Sequence, residues 1–215
     1  MYEPDPGDPP TPPLEGGDEI PEEEQPTEGR VKYVVDDVEV SIVAERVQYY
    51  GHDGRLITED LREYTRRNIL RRYRSLEEFL RVWTGGERKR AIIEELTAQG
   101  VLLEELADEV GREFDAFDLV CHVAYDRPPL TRRERAANVR KRDVFTKYGE
   151  AARAVLDALL DKYADAGIEE IEDPAVLRVQ PIDRLGTPLE IIARFGGREE
   201  YLEAVRELGA ALYAA

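Results

Sequence analysis

Apolar and polar positions alternate along the chain from residue 31 onward. In residues 31–35 and 38–42 an apolar residue recurs at every second position, which is the pattern of a half-buried β-strand. Between them, Asp36-Asp37 predicts a two-residue turn that sets Val35 opposite Val38. The two segments therefore predict a β-hairpin with one apolar face.

The alternation continues with a change of phase and a second turn. The apolar positions shift to Val47 and Tyr49, which predicts a bulge near Ala44–Arg46. Asp53-Gly54 is a favoured turn pair, so a second hairpin is predicted there. Residues 31–58 thus predict a small antiparallel β meander, which needs helices packed on one face to be stable.

After the meander the apolar residues recur at helical spacing. Three segments of the form Ser/Thr-x-x-Glu predict helix starts with capping boxes: Ser75–Glu78, Thr131–Glu134 and Thr187–Glu190. The longest predicted helix runs over roughly Val144–Ala166 and would exceed about 30 Å at 1.5 Å per residue. Further helices are predicted over Glu87–Gln99, Leu103–Val110 and Asp115–Ala124, and through Tyr201, Val205, Leu208 and Leu212. The predicted fold class is mainly α, a helical domain over residues 59–215 with a small N-terminal antiparallel β meander.

Charge divides the chain into unlike parts. The 215 residues have a formal net charge of −17, but residues 1–29 alone hold ten acidic residues, no Lys or Arg, and eight of the thirteen prolines. Such a segment has too little apolar surface to offset its ordering entropy. It is therefore predicted to be a disordered acidic tail or linker, and residues 30–215 keep a net charge of only −7.

Two basic segments lie within this acidic chain. Residues 62–90 hold ten basic and four acidic residues, and residues 127–147 hold eight and two. Arginine faces of this kind pair with phosphates or with partner carboxylates. They can equally pair with the chain's own acids or face water. The second segment opens a helix with positive charge, which the helix dipole disfavours, and this favours a binding role. The candidate DNA- or partner-binding residues are Arg132, Arg133, Arg135, Arg140, Lys141, Arg142, Arg66, Arg67 and Arg71.

Catalytic motifs are not found in the sequence. No phosphate-binding Gly-rich loop occurs, and Asp108-Glu109-Val110 and Glu87-Arg88-Lys89 match motor and nuclease motifs only in part. His52-Asp53 is interpreted as part of a hairpin turn, and Cys121 and His122 as core residues of a helix. The single cysteine fits a reducing compartment. The sequence therefore predicts no catalytic residue, no metal site and no cofactor in this chain taken alone.

Five segments occur in an order that carries a family resemblance. They are Tyr49-Tyr-Gly-His-Asp-Gly-Arg-Leu-Ile-Thr58, Phe117-Asp-Leu-Val-Cys-His-Val-Ala-Tyr-Asp126, Leu130-Thr-Arg-Arg-Glu-Arg-Ala136, Val155-Leu-Asp-Ala-Leu-Leu-Asp-Lys-Tyr-Ala-Asp165 and Gly186-Thr-Pro-Leu-Glu-Ile-Ile-Ala-Arg-Phe-Gly-Gly197. Together they resemble the C-terminal domain of the EcoEI-type restriction (R) subunit of type I restriction-modification enzymes. The resemblance covers nearly all of residues 31–215.

The resemblance implies a role in assembly rather than in bond breaking. In that family a nuclease domain and an ATP-driven DNA-translocating motor precede this helical domain. The domain would join the rest of the R subunit to the methyltransferase core, formed by the modification and specificity subunits, and would also touch double-stranded DNA. ATP and Mg²⁺ are implied only for the nuclease and motor regions, which this chain lacks. Residues 1–29 would correspond to the linker after the motor, the location would be cytoplasmic, and no membrane partner is expected.

Two other hypotheses remain open at this stage. The net charge of −17 fits an acidic interaction protein that mimics DNA, although a mimic needs ordered carboxylates on the folded body rather than in a Pro-rich tail. A small hydrolase would need a concave site with clustered titratable groups. The sequence offers no such cluster.

Overall fold

A four-stranded antiparallel sheet begins the fold. The computed structural model describes residues 31–35, 38–43, 46–86 and 88–214, so the predicted tail of residues 1–29 lies outside the described residues. The strands pair in chain order. They are β1 (Val31–Val35), β2 (Val38–Val43), β3 (Arg46–Tyr50) and β4 (Leu56–Asp60).

The register of the sheet agrees with the predicted hairpins and corrects the predicted bulge. Val35 lies opposite Val38, as the sequence predicts. Val43 lies opposite Arg46 in the next pair of strands, so the chain reverses there and a bulge near Ala44–Arg46 is wrong. Reversal also explains the change of apolar phase, because it places Ile42 opposite Val47 on the same face.

One face of the sheet packs on helices and forms a small core of its own. Val40 and Val47 of the sheet are almost fully buried. They belong to one cluster with Leu61, Leu106 and Leu119 from three different helices. A strand pair without such cover is marginal in water, so these contacts stabilise the sheet.

Ten α-helices lie in the described residues and make up more than half of them, which confirms the mainly α fold class with its N-terminal sheet. In chain order they are α1 (Leu61–Arg72), α2 (Leu76–Gly85), α3 (Lys89–Ala98), α4 (Leu103–Val110), α5 (Ala116–Tyr125), α6 (Arg132–Lys141), α7 (Glu150–Ala166), α8 (Ile168–Glu172), α9 (Pro188–Ala193) and α10 (Arg198–Tyr213). Two 3₁₀ helices, Pro174–Arg178 and Ile182–Leu185, join α8 to α9. Within the described ranges no helix is long and apolar enough to cross a membrane.

The longest helix is shorter than the sequence predicts. α7 has 17 residues, about 25 Å at 1.5 Å per residue, and it begins at Glu150 instead of near Val144. Asp143 has a positive φ of 50°, a left-handed conformation that an α-helix does not continue through. Gly149 then takes an extended conformation as the N-cap residue. Residues 142–149 therefore form a connection and not a first helical turn.

Two of the three predicted capping boxes are complete. In Thr131–Glu134 and Thr187–Glu190 the hydroxyl and the carboxylate both bind backbone N–H groups reciprocally. Ser75 accepts from the Glu78 backbone N–H at 3.2 Å. The Glu78 carboxylate, however, accepts from the backbone N–H of Arg74 at 2.9 Å, so the first box is only half formed.

The main core is built around aromatic rings and the long helix α7. Phe79 and Trp83 of α2 are fully buried, and their ring centroids lie 5.6 Å apart. Phe117 of α5 packs against both rings, at 5.7 and 5.4 Å. Leu156 and Leu160 of α7 are also fully buried in this cluster, which makes α7 a central element of the helical domain.

A distant carboxylate caps helix α3. The N-cap residue Arg88 has no side-chain cap hydrogen bond. Instead, Glu172 at the end of α8 accepts from the backbone N–H groups of Lys89 at 3.0 Å and Arg90 at 3.2 Å. A carboxylate at this end also interacts favourably with the helix dipole. The cap therefore joins two helices that are far apart in sequence.

Replacing Glu172 by alanine should lower the free energy of unfolding by about 0.5–2 kcal/mol, the usual range for loss of an N-cap acceptor. The control is Glu203→Ala, which removes an exposed carboxylate in the middle of α10 and should change stability by less than about 0.5 kcal/mol. Urea unfolding followed by circular dichroism measures both. Equal stability of the two variants would show that the cap is not stabilising.

Candidate partner-binding surface

The arginines of α1 are paired with carboxylates of neighbouring elements. Arg66 donates to both carboxylate oxygens of Asp126 at 3.3 and 3.1 Å. Arg67 pairs with Glu59 of β4 and donates to the Tyr49 hydroxyl at 3.1 Å. Burial lowers the pKa of Arg67, but the hydrogen bonds to Glu59 and Tyr49 outweigh it and raise the pKa overall. Both arginines therefore hold the fold together as well as lying at its surface.

A shallow groove of about 480 Å³ runs along α1. It is lined by Glu59, Glu63, Arg66, Arg67, Leu70 and Arg71. Arg71 and Glu63 are exposed, and neither side chain has an ion-pair partner among the described residues. The groove thus presents one cation and one anion that the fold itself does not use.

At the two ends of α6, arginines bind backbone carbonyls. Arg132 donates to the carbonyl of Arg112 at 2.8 Å and lies 3.4 Å from the carbonyl of Asp165 at the end of α7. Arg142 donates to the carbonyls of Ala211 and, at 3.5 Å, Ala214 at the end of α10. Cations are favourable at helix C-termini. These two predicted binding residues therefore act as C-terminal caps of other helices.

Arg140, Arg133 and Lys141 lie at the exposed side of α6. The guanidinium of Arg140 donates to Asp161 of α7 at 2.6 Å and lies 3.6 Å from Asp157. Arg133 is largely exposed, 3.7 Å from Asp165. Lys141 is exposed and has no ion-pair partner in the described part of the chain. The acidic row on α7 thus pairs with Arg140 and lies close to Arg133, whereas Lys141 has no such partner.

Arg135 is not a surface residue, contrary to its predicted place on the binding surface. Its side chain is only 9% exposed. It donates two hydrogen bonds to Asp118 at 2.6 and 2.7 Å and a third to the Leu212 carbonyl at 2.8 Å. The guanidinium also lies over the rings of Phe117 and Tyr213 at 4.8 and 5.3 Å. Arg135 is a core residue, because all three nitrogens of its guanidinium donate hydrogen bonds to groups of helices α5 and α10.

A pattern in the sequence indicates that the side chain of Arg135 is buried. Arg135 precedes Val139 by four residues, so the two lie on one face of α6, and Val139 is fully buried. Its partner Asp118 likewise stands within an apolar run on α5. A charged residue on the apolar face of each of two neighbouring helices indicates a buried ion pair.

A second acid is buried beside this ion pair. Asp115, the N-cap residue of α5, accepts from the Ala116 backbone N–H at 2.8 Å and from the hydroxyl of Tyr213. Complete burial raises its pKa, and the neighbouring carboxylate of Asp118 raises it further. Burial also raises the pKa of Tyr163 and of Tyr213. Burial in this cluster therefore favours the neutral forms of Asp115, Tyr163 and Tyr213.

The residues considered for chemistry take structural positions. His52 is exposed in the loop between β3 and β4, and His122 contacts the Arg127 carbonyl through Nδ1 at 3.1 Å. Cys121 is buried, and burial raises its pKa to about 12, which suppresses the reactive thiolate. Glu109 pairs with Arg62. In the described ranges no group of three or more His, Cys, Asp or Glu side chains is placed to hold a metal ion.

These features define a helical domain whose charged side chains mostly connect its own elements and leave a short groove of unpaired charge. Residues 59–213 match the sequence model of the family described as EcoEI R protein C-terminal, so the chain belongs to that family. It is the C-terminal domain of an R subunit of the type I restriction class, which confirms the resemblance.

A relative supports the same assignment. The chain is 51% identical over 213 residues to a protein of Escherichia coli named "Type I restriction enzyme EcoAI endonuclease subunit". That match covers 96% of this chain but 26% of the relative, so the chain spans about a quarter of the relative's length. No solved structure gives a significant match.

Replacing Arg135 by glutamine should lower the free energy of unfolding by about 3–5 kcal/mol, because Asp118 would keep a buried charge without its partner. The matched control is Arg133→Gln, two residues earlier on the same helix, which should change stability by less than about 0.5 kcal/mol. Urea unfolding of both variants measures the difference. Similar small losses for the two would contradict a structural role for Arg135.

Replacing Asp115 by asparagine should make stability less sensitive to rising pH. Folding raises the pKa of Asp115 above its ordinary value of 3.8. At any pH between the pKa of the unfolded chain and the higher pKa of the folded protein, the folded protein therefore holds one more proton than the unfolded chain. Stability is then lost as pH rises through the folded pKa. Asparagine cannot ionise and is also a good N-cap residue.

The measurement is urea unfolding of parent and variant from pH 4 to pH 8. We expect the stability of Asp115→Asn relative to the parent to increase as pH rises. Glu203→Gln, an exposed carboxylate change, serves as control and should give a difference that does not vary with pH. A constant difference for Asp115→Asn would exclude a buried proton on this carboxyl.

Proposed function

We propose that this domain docks the motor and nuclease part of a type I restriction R subunit onto the methyltransferase core, formed by the modification and specificity subunits. The family supplies the context, because its members are the C-terminal regions of R subunits. The docking surface is the α1 groove, which includes the predicted residues Arg66, Arg67 and Arg71. ATP and Mg²⁺ would serve other regions of the subunit, and the domain would contribute binding.

The observation that carries this proposal is the pair of unused charges in the α1 groove. Arg71 and Glu63 lie two helical turns apart, with the half-buried Leu70 beside Arg71. A protein segment with one carboxylate and one cation at matching spacing would satisfy both charges. Complementary charges at an interface give orientation and partner choice, which is what a docking domain requires.

The same charges favour a protein partner over DNA at this groove. Arg66 and Arg67 already pair with Asp126 and Glu59, so little positive charge is left for phosphates. Glu63 would also repel a phosphate that approaches Arg71. Tight DNA binding depends on several unneutralised cations that track the backbone. Contact with double-stranded DNA is therefore proposed only as a secondary feature of the assembled enzyme.

Reversing the charge of Arg71 with Arg71→Glu should weaken binding to a methyltransferase core that lacks its R subunit by about tenfold or more, or about 1.4 kcal/mol. The substitution should leave the fold intact, because Arg71 pairs with no described residue. Co-elution on size exclusion followed by isothermal titration calorimetry measures the affinity. The experiment is done with and without duplex DNA.

Arg178→Glu is the matched control. Arg178 is exposed at the end of the first 3₁₀ helix, pairs with no described residue, and carries the same change of charge. Binding should be unchanged in this variant. If both variants bind as the parent does, the α1 groove is not the docking surface. A loss that appears only when DNA is present would instead assign the groove to DNA.

A further inference from the structure

Strand β4 leaves one edge of the sheet unpaired in the described part of the chain. The strands follow in the order β1 to β4, so β4 pairs with β3 on one side only. The Gly51 backbone N–H donates to the Arg55 carbonyl at 2.9 Å, and hydrogen-bonded pairs alternate along an antiparallel ladder. Leu56 and Thr58 therefore point their backbone N–H and C=O groups away from β3. These groups have no backbone partner among the described residues.

β4 lacks the features that usually protect a free strand edge. Natural proteins discourage edge-to-edge pairing with Pro, Lys, β-bulges or a covering element. β4 reads Leu-Ile-Thr-Glu-Asp and pairs with β3 over all five residues without a bulge. Its first three residues, Leu56, Ile57 and Thr58, are exposed. At the opposite edge of the sheet, by contrast, β1 carries Lys32.

Exposed apolar side chains lie along the same edge. Leu56 is 54% exposed and lies opposite Tyr50, which is 62% exposed. Ile57 points to the other face of β4, because side chains alternate along a strand, and is 37% exposed. A strand added at this edge would pair the free backbone groups and cover apolar surface on both faces of the sheet. This is the mode of recognition by β-strand addition.

Charges of opposite sign flank the apolar residues of β4. Arg55 precedes them, and its side chain is exposed, 3.6 Å from the carboxylate of Asp53. Glu59 follows them, and its carboxylate accepts from Arg67 and from the Tyr49 hydroxyl, which leaves capacity for a further donor. In an antiparallel pair of identical strands each arginine would lie opposite a glutamate. A parallel pair would instead place like charges side by side, which is unfavourable.

We propose that two copies of this chain pair through β4, antiparallel and about a two-fold axis at Ile57. Leu56 of each copy then exchanges two backbone hydrogen bonds with Thr58 of the other, and the two sheets become one. Ile57 lies opposite its own counterpart, and Arg55 lies opposite Glu59. A two-fold contact of this kind is the commonest symmetry of homo-oligomers. The inference does not rest on the proposed docking function.

The neighbouring two-fold registers of β4 are less complementary. An axis at Leu56 would pair Thr58 with Gly54, whose φ of 73° lies outside the extended region. An axis at Thr58 would place the apolar Ile57 opposite the carboxylate of Glu59. Of the three registers, only the axis at Ile57 gives an apolar contact at the centre and opposite charges at both ends.

A second copy fits this edge better than a nucleic acid does. Alternating N–H and C=O groups select an extended polypeptide as the partner. Glu59 and Asp60 at the end of the strand would repel a phosphate backbone. An identical strand supplies the matching charges by itself. Because a single strand pair makes a small interface, the association is expected to be weak.

Sedimentation velocity of the full chain tests the pairing. Between about 10 µM and about 1 mM, the range in which weak complexes form, the weight-average mass should rise from that of a monomer toward that of a dimer. Thr58→Pro removes an outward N–H from each copy and should raise the dissociation constant at least tenfold. Thr58→Val keeps the N–H and is the matched control, with a dissociation constant within threefold of the parent's.

The fold should survive the substitutions. Proline is tolerated on an edge strand where the N–H faces solvent, and circular dichroism checks this. Arg55→Glu is a second variant at an exposed position; it places like charges opposite each other at both ends and should weaken association at least threefold. Arg71→Glu, which tests the docking proposal, should leave self-association unchanged, so the two proposals can fail separately.

Disulfide formation tests the register. Residues directly opposite in a non-hydrogen-bonded antiparallel pair have Cα atoms about 4.5 Å apart, which is within the range for a disulfide. Ile57→Cys should therefore give a covalent dimer under mild oxidation. Glu203→Cys, at an exposed position of α10, is the control and should not. Cys121 is buried and its pKa is raised to about 12, so it should not react.

The outcomes decide between the occupants of this edge. A covalent dimer of Ile57→Cys, with weaker association of Thr58→Pro and Arg55→Glu, would establish the pairing. A monomer mass at every concentration, association that neither variant weakens, or oligomers larger than a dimer would overturn it. A monomeric chain whose Thr58→Pro variant loses affinity for the methyltransferase core would assign the edge to that partner instead.

Discussion

The buried ion pair between Arg135 and Asp118 is the interaction on which the helical domain depends. Asp118 also accepts from the backbone N–H of Leu130 at 2.9 Å, and Arg135 reaches the carbonyl of Leu212. Four parts of the chain thus meet at two side chains: α5, the loop before α6, α6 and the end of α10. Burial lowers the pKa of Arg135, but the hydrogen bonds and charge of Asp118 outweigh it and raise the pKa overall. Desolvating two charges is costly and is offset only when their hydrogen bonds are satisfied, which is the case here.

Arginine connects elements throughout this fold. Arg62 pairs α1 with α4, Arg72 pairs α1 with α3, and Arg140 pairs α6 with α7. Each exposed pair contributes little to stability by itself, but together the pairs join neighbouring helices at several points. The guanidinium suits this use because it donates several hydrogen bonds in a fixed plane and reaches carbonyls as well as carboxylates. The basic segments of the sequence therefore serve mainly to connect a chain whose remaining surface is acidic.

Local structure could be predicted from the sequence, whereas long-range pairing could not. The hairpin with Val35 opposite Val38 and the Thr131–Glu134 and Thr187–Glu190 boxes depend on neighbouring residues, and all are confirmed. The candidate binding surface could not be predicted in this way, because whether an arginine is left without an ion-pair partner depends on carboxylates that are distant in the sequence. Asp118 lies 17 residues before Arg135; the apolar faces of α5 and α6 indicate that each is buried, but local spacing does not select one as the partner of the other. The start of α7 was misplaced since residues 144–148 fit a helical pattern, and only the conformations of Asp143 and Gly149 show otherwise.

The sheet is part of the folded unit even though the family match begins at residue 59. Leu61 and Tyr64 of α1 are buried in the same cluster as Val40 and Val47 of the sheet. Gly100, at the end of α3, has a φ of 81° and lies so close to Val35 and Asn68 that an added Cβ would collide with their side chains. Removing the strands would therefore expose the apolar face of α1, whose opposite face carries the groove with Arg71. Because the sheet covers one side of α1 and Glu59 of β4 lines the groove on the other side, the strands contribute to both faces of this helix.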